Sequence, residues 1–241
     1  MNRNEQFVIT INRELGSGGR TVGRLVAEKL GVPFLDKALI KALQEKYNLS
    51  VEEIEKQKGR KHDWWSEFKR IMLLGHSYGN SHYAPMPFGT VNGEFDLIPD
   101  DMSFLPGDFN IASANMSYPD MLTTDEMFEV EKEILKNIAE KESCIIAGRT
   151  GFHVFADHPN HLNIFIQASM EHRIERVMRK QNLSREEAEK TIKKVDEMRE
   201  NYVKKYAGTS RYDTRNYDLV ISMDGKTEDE VADIIITYIG Q

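Results

Sequence analysis

The sequence predicts an α/β protein in which a parallel sheet is covered by helices on both faces. Three observations predict it. The N-terminal run "FVITI" is short, apolar and β-branched, the pattern of a strand buried within a sheet. Runs of the same kind return as "CIIAGR", "HLNIFIQAS" and "YDLVISM". Between these runs lie segments whose apolar residues recur at helical spacing, and strands alternating with amphipathic helices build a parallel sheet.

Each element has its own local reason. The strand at residues 7–11 leads into a glycine-rich stretch. Val22, Leu25, Val26 and Leu30 then share one helical face over residues 20–30, and Gly31 ends that helix. "VPFLD" reads as a second short strand closing at Asp36, followed by a helix over residues 37–47. Ser50 with Glu53 forms a capping box, and "HDWWSEFKRIMLL" reads as a further helix with Trp65, Phe68, Ile71 and Met72 inward. An amphipathic helix is expected over residues 127–140. Residues 170–180 form an arginine-rich helix, a long polar helix is opened by Ser184 and Glu187, and Thr227 with Glu230 caps the last helix.

Composition sets outer bounds. With 241 residues, 40% hydrophobic and 29% charged, the chain suits one soluble domain with a core of its own. Cys144 is the single cysteine, which excludes a disulfide framework and fits a reducing, cytoplasmic setting. No run of eighteen apolar residues exists, so no membrane partner is expected. Of the net charge of −7, residues 71–131 alone carry ten acids and no Lys or Arg, which leaves the remainder mildly basic. Five of the seven prolines fall within residues 75–122. The reading is one domain, residues 1–241, with an insertion at 60–122. The large apolar residues of that insertion, Phe88, Phe95 and Phe104 among them, are expected to anchor it against the acceptor side or in a homo-oligomer contact.

The chemistry gathers at residues 11–31, "INRELGSGGRTVGRLVAEKLG", where strand, glycine turn and helix start form a cradle that favours anions. On the loop alone three readings stay open. A dinucleotide fingerprint fits Gly16 and Gly18, with Asp36 as the later acid, but has Thr21 at its third glycine. Glycines that merely turn the chain are the second. The third is the phosphate loop G-x-x-x-x-G-K-[ST] in either of two registers. One register, with Gly16, Ser17 and Gly18 in the loop and Thr21 one place past the Ser/Thr position, puts Arg13 at the first glycine and Gly19 at the lysine. The other reads Gly19-Arg20-Thr21 as G-[K/R]-[ST] with Glu14 at the first glycine, so that Arg20 supplies the missing charge. Farther on, Arg173, Arg176 and Arg179 recur at steps of three, and Asp196 with Arg199 follows on the next helix. Cations in this number suit phosphoryl transfer, whose catalysis is mostly positioning and charge neutralisation. The pairs His158/His161 and His76/His82 lack cysteine or well-spaced carboxylate companions, so no metal site is expected at them. Nucleic-acid binding is not expected from a chain whose pI is about 5.6 and whose cations form no aromatic-interleaved stripe.

The stretches "INRELGSGGRTVGRLVAEKLGVPFLDKALI", "CIIAGRTGFHVF", "IFIQASMEHRIERV", "DEMRENY" and "YDLVISM" together resemble the cytidylate kinase-like family, a branch of the nucleoside monophosphate kinases with the P-loop NTPase-type three-layer fold. The resemblance implies a kinase that moves the γ-phosphoryl of ATP, with Mg²⁺, to a nucleoside monophosphate. It implies that Gly16, Ser17, Gly18, Gly19, Arg20 and Thr21 hold the donor phosphates, with Thr21 as the side-chain contact to the nucleotide's Mg²⁺. It implies an acceptor site at Asp36 and Arg149, and a lid over residues 173–205. In that lid Arg173, Arg176, Asp196 and Arg199, together with Arg20 of the loop, form the catalytic set. Thr150 stands where the family pattern Gly-Arg-Asp has aspartate, and Ile192 stands at a lid arginine. The alternative is a nucleotide-binding regulatory or interaction protein with impaired catalysis.

Overall fold

The computed structural model describes residues 1–36, Ile40 and residues 124–240. Apart from Ile40, the expected helices between residues 37 and 74, the insertion and its phenylalanine anchors lie outside the described residues.

Five parallel strands stand in the order β2-β3-β1-β4-β5: β1 is Val8–Arg13, β2 Phe34–Leu35, β3 Cys144–Ala147, β4 His161–Gln167 and β5 Leu219–Ser222. β1 is central, with Ile9 opposite Ile145 on one side and Leu162 on the other. It is wholly buried, as a continuous apolar run requires, and it continues two residues beyond "FVITI" to Arg13.

Among the described residues stand α1 (Gly19–Leu30), α2 (Thr124–Ala139), the single turn α3 (Gly151–Val154), α4 (Met170–Gln181), α5 (Arg185–Ala207) and α6 (Glu228–Ile239), all but α3 expected from the sequence pattern. The capping boxes at Ser184/Glu187 and Thr227/Glu230 are both formed, and Gly31 closes α1 in the left-handed conformation. The sheet separates two cores. On one face Val8, Ile146 and Leu35 pack under Val130, Ile134 and Ile138 of α2. On the other, Ile9, Ile11, Ile145 and Ile164 meet Val22 and Val26 of α1 and Val231 and Ile235 of α6. A third cluster joins α4 to α5 through Ile174, Val177, Ala188, Ile192 and Val195, and it includes Leu15 of the glycine loop. Ile192 is fully buried there, which explains an apolar residue where the family pattern has a cation.

His161 opens β4 with Nε2 3.3 Å from Thr10 Oγ1, and burial pushes its pKa down to about 4. The folded protein therefore resists a proton that the unfolded chain accepts near pH 6.5. Its stabilising contribution is whole above pH 6.5 and is lost as pH falls towards 4, about 3 kcal/mol at most. Denaturant unfolding at pH 7.5 and at pH 4.5 should show a smaller decline for His161→Gln than for the parent. Equal declines would remove His161 from the acid sensitivity.

Candidate active site

The glycine loop begins where β1 leaves the sheet. Gly16 and Gly18 are left-handed, at φ +80° and +81°, and Gly18 is the N-cap of α1. α1 starts at Gly19, and in the register that takes its N-cap Gly18 as the second glycine of the pattern the lysine position falls at Gly19. Helix-start N–H groups without intrahelical acceptors face the loop, as an anion cradle requires. Space around the loop is tight. A Cβ on Gly16 would sit 2.7 Å from the carbonyl oxygen of Arg173, and one on Gly18 would sit 3.3 Å from the Arg176 guanidinium carbon.

α4 is seated on the loop by its N-terminus, where Ser169 N donates to the Asp224 carboxylate beyond β5, with N···O distances of 3.0 and 3.1 Å. Two of its arginines then face inward. Arg173 donates from Nε to the Leu15 carbonyl at 2.7 Å, lies 3.3 Å from Glu14 and bonds Asp196. Arg176 pairs with Glu228 at the start of α6 and donates to Thr21 Oγ1 at 3.2 Å. On α5, Asp196 is the hub. Its Oδ1 accepts from Leu15 N at 3.1 Å and from Arg211 at 3.3 Å, its Oδ2 accepts from Arg173, and Arg199 lies 3.9 Å away. Arg199 and Arg211 both donate to the carbonyl of Arg13, the last residue of β1. Arg211 is 2% exposed, and burial followed by the charge of Arg199 pushes its pKa down.

A second wall comes from the turn after β3. Gly148, Arg149 and Thr150 are left-handed in succession, at φ +76°, +56° and +55°. That winding turns Arg149 inward, where it pairs with Glu131 of α2 and donates to Tyr202 Oη of α5 at 2.9 Å. Burial pushes the Arg149 pKa down, against the opposing effect of Tyr202. Between the two walls lies a small cavity of about 30 Å³, room for one or two waters. Asn12, Arg13, Gly148, Arg149, Arg199 and Arg211 line most of it. Asn12 Nδ2, Arg149 Nε and Thr150 Oγ1 are buried with no hydrogen-bond partner among the described residues. Polar groups so buried are nearly always satisfied, so unmet donors beside several guanidiniums describe a space suited to an anion.

The structure thus gathers Arg173, Arg176, Asp196, Arg199 and Thr21 around the loop, and brings Arg149 to the same strand ends. Asp36 is buried at the end of β2, and there it meets Arg20, whose Nε and Nη2 both donate to Oδ2, at 2.9 and 2.5 Å. Arg20 therefore reaches from the first turn of α1 towards β2. Sequence reasoning missed Asn12 and Arg211. Nothing local marks Arg211, which lies in an irregular stretch after α5, and Arg13 entered only as a mismatch to a glycine.

A parallel sheet of order 2-3-1-4-5 with a glycine loop between β1 and α1 defines a P-loop kinase-type α/β protein. The chain belongs to the cytidylate kinase-like family, whose model matches residues 8–225. That membership supports a phosphotransferase. Among solved structures, an uncharacterized protein from Eubacterium ventriosum is similar at 21% identity over 98% of this chain and 99% of its own, with a TM-score of 0.61. A shikimate kinase from Bacteroides thetaiotaomicron is 13% identical over 98% of this chain and 99% of its own, with a TM-score of 0.47. Only the first superposes closely enough to bear on the fold. No curated protein matches the chain. Among the described residues no helix is long and apolar enough to cross a membrane, and no group of three or more His, Cys, Asp or Glu is placed to hold a metal ion.

Proposed function

We propose that the protein transfers the γ-phosphoryl group of ATP to a small phosphorylated acceptor, a nucleoside monophosphate in the first instance. The observation that carries this reading is the gathering of cations around one small space at the strand ends. Among the described residues Arg13, Arg149, Arg173, Arg199 and Arg211 converge there, with Asp196, Glu131 and Glu14 facing them. Several guanidiniums around one polar cavity favour a polyanionic ligand.

In the reaction the bond from the γ-phosphorus to the β–γ bridging oxygen breaks. A new bond forms from an acceptor phosphate oxygen to the same phosphorus. The loop N–H groups hold the donor phosphates, Arg173, Arg176 and Arg199 neutralise charge on the moving oxygens, and Asp196 positions Arg173 against the loop. Arg149 and the Arg20–Asp36 pair address the acceptor. The residues present fit a nucleotide's phosphates. For the Mg²⁺ that accompanies ATP, Thr21 Oγ1 would be the side-chain contact, and the ion would supply charge neutralisation at the donor phosphates.

A second reading is a nucleotide-binding regulator with impaired catalysis. It is favoured by a carboxylate, Asp196, already seated on the loop N–H of Leu15. A screen for ADP release across nucleoside monophosphates, with ATP binding followed by calorimetry, separates the two. ADP formation with at least one monophosphate is expected. ATP binding with no ADP formed from any acceptor would sink the kinase reading in favour of the regulator.

A further inference from the structure

We infer that Arg13 does the work of the lysine that the glycine loop lacks, a residue-level assignment that rests on the phosphotransferase reading above. In the register that takes Gly18, the N-cap of α1, as its second glycine, the phosphate-loop pattern has glycine at position 13 and lysine at position 19. This chain has Arg13 and Gly19. The two departures are a single exchange. A Cβ on Gly19 would lie 2.6 Å from Arg13 Cβ and 3.1 Å from its Cγ, so no side chain can leave position 19 while Arg13 occupies that space. Farther along the same side chain, Nη1 lies 2.5 Å from where a Cβ on Gly148 would be. Glycine is required at the root of Arg13 by the first turn of α1, while at its head Gly148 is held to glycine by its own φ of +76° and leaves room for the guanidinium.

The stem of Arg13 therefore crosses the start of α1, and its guanidinium ends in the cavity shared with Asn12, Arg149, Arg199 and Arg211. Its own carbonyl accepts from Arg199 and Arg211, so the strand end that carries it is fixed from behind. A head so placed loses little freedom when it meets a ligand. The cation reaches the site from the strand where a usual loop sends it from the helix. An arginine also presents a planar fork that holds two phosphate oxygens at once, which a lysine cannot. The ligand class is the terminal phosphates of a nucleoside triphosphate. Arg13 donates hydrogen bonds to non-bridging oxygens there, and no proton changes hands.

The test uses the full chain and the variants Arg13→Met, Arg13→Gly, Gly19→Lys, the double variant Arg13→Gly/Gly19→Lys, and Arg20→Ala. Thermal melting, ATP affinity by calorimetry with Mg²⁺, and ADP release with the acceptor found in the screen are measured for each. Arg13→Met keeps the stem without the charge and is expected to weaken ATP binding at least about tenfold and to slow transfer about 10²–10³-fold. Arg20→Ala should cost less than either. Gly19→Lys alone should melt well below the parent, and combining it with Arg13→Gly should restore the melting temperature and raise transfer above that of Arg13→Gly. Parental affinity and turnover in Arg13→Met, or a Gly19→Lys variant as stable as the parent, would overturn the assignment while leaving the phosphotransferase reading intact. A parent chain that binds no ATP would overturn that reading and the assignment with it.

Discussion

Replacing Asp196 by alanine is expected to lower stability by about 3–5 kcal/mol, the cost of stranding buried charge by removing its partner. Asp196 is 8% exposed, and its carboxylate serves Leu15 N, Arg173 and Arg211 directly, with Arg199 at 3.9 Å. Without it Arg173, Arg199 and Arg211 lose a shared counter-charge in a buried setting, and one loop N–H loses its acceptor. For a chain of this size the melting temperature should fall by roughly 10 °C. Pyrophosphate added to the variant should recover a larger share of that loss than it adds to the parent, because an outside anion then fills the vacated position. A melting temperature within 2 °C of the parent would show that the arginines are held by something other than Asp196.

Glu131→Leu should be nearly as damaging, at about 3–5 kcal/mol, for a related reason. Glu131 is the acid paired with Arg149, and both side chains are almost wholly buried, at 6% and 7% exposed. Tyr202 bonds the guanidinium too but brings no charge. The double variant Glu131→Leu/Arg149→Met removes both charges and keeps apolar bulk, so it should be more stable than Glu131→Leu alone and close to the parent. Additive losses would mean that the two residues act separately. The same double variant should lose phosphoryl transfer even where its stability returns, which distinguishes a residue kept for stability from one kept for its ligand.

These predictions concern contacts of two kinds, and the sequence shows them unequally. Elements governed by near neighbours were legible: the capping boxes three residues apart at Ser184 and Thr227, the glycine stop at Gly31, and the buried strands flanking the loop. The glycine turn between β1 and α1 was legible, and so were the arginines of α4 and α5 that the fold turns inward. The electrostatic partners were not. Arg211 meets the carbonyl of Arg13 across 198 residues, and Asp196 meets Leu15 across 181. No periodicity encodes such pairings, which arise only when α5 folds back over the strand ends. For Arg20 a basic residue in a glycine loop suggested phosphate. Its side chain meets Asp36, sixteen residues on, because the first turn of α1 faces the end of β2. Arg13 counted against a motif in the sequence, while in three dimensions it accounts for the glycine at position 19.

Leu15 belongs to two structures at once. It is a member of the glycine loop, and it is fully buried in the apolar cluster that binds α4 to α5. Lifting the helical hairpin away would expose that side chain, at about 1.5–3 kcal/mol, before any ion pair is broken. Loop and hairpin therefore share one mechanical fate. A thermal fluctuation that bends the loop must drag two helices with it, so the cradle is stiff although three of its residues are glycines. A ligand arriving there meets a surface whose shape was fixed when the chain folded, and little of its binding energy is spent on holding the loop still.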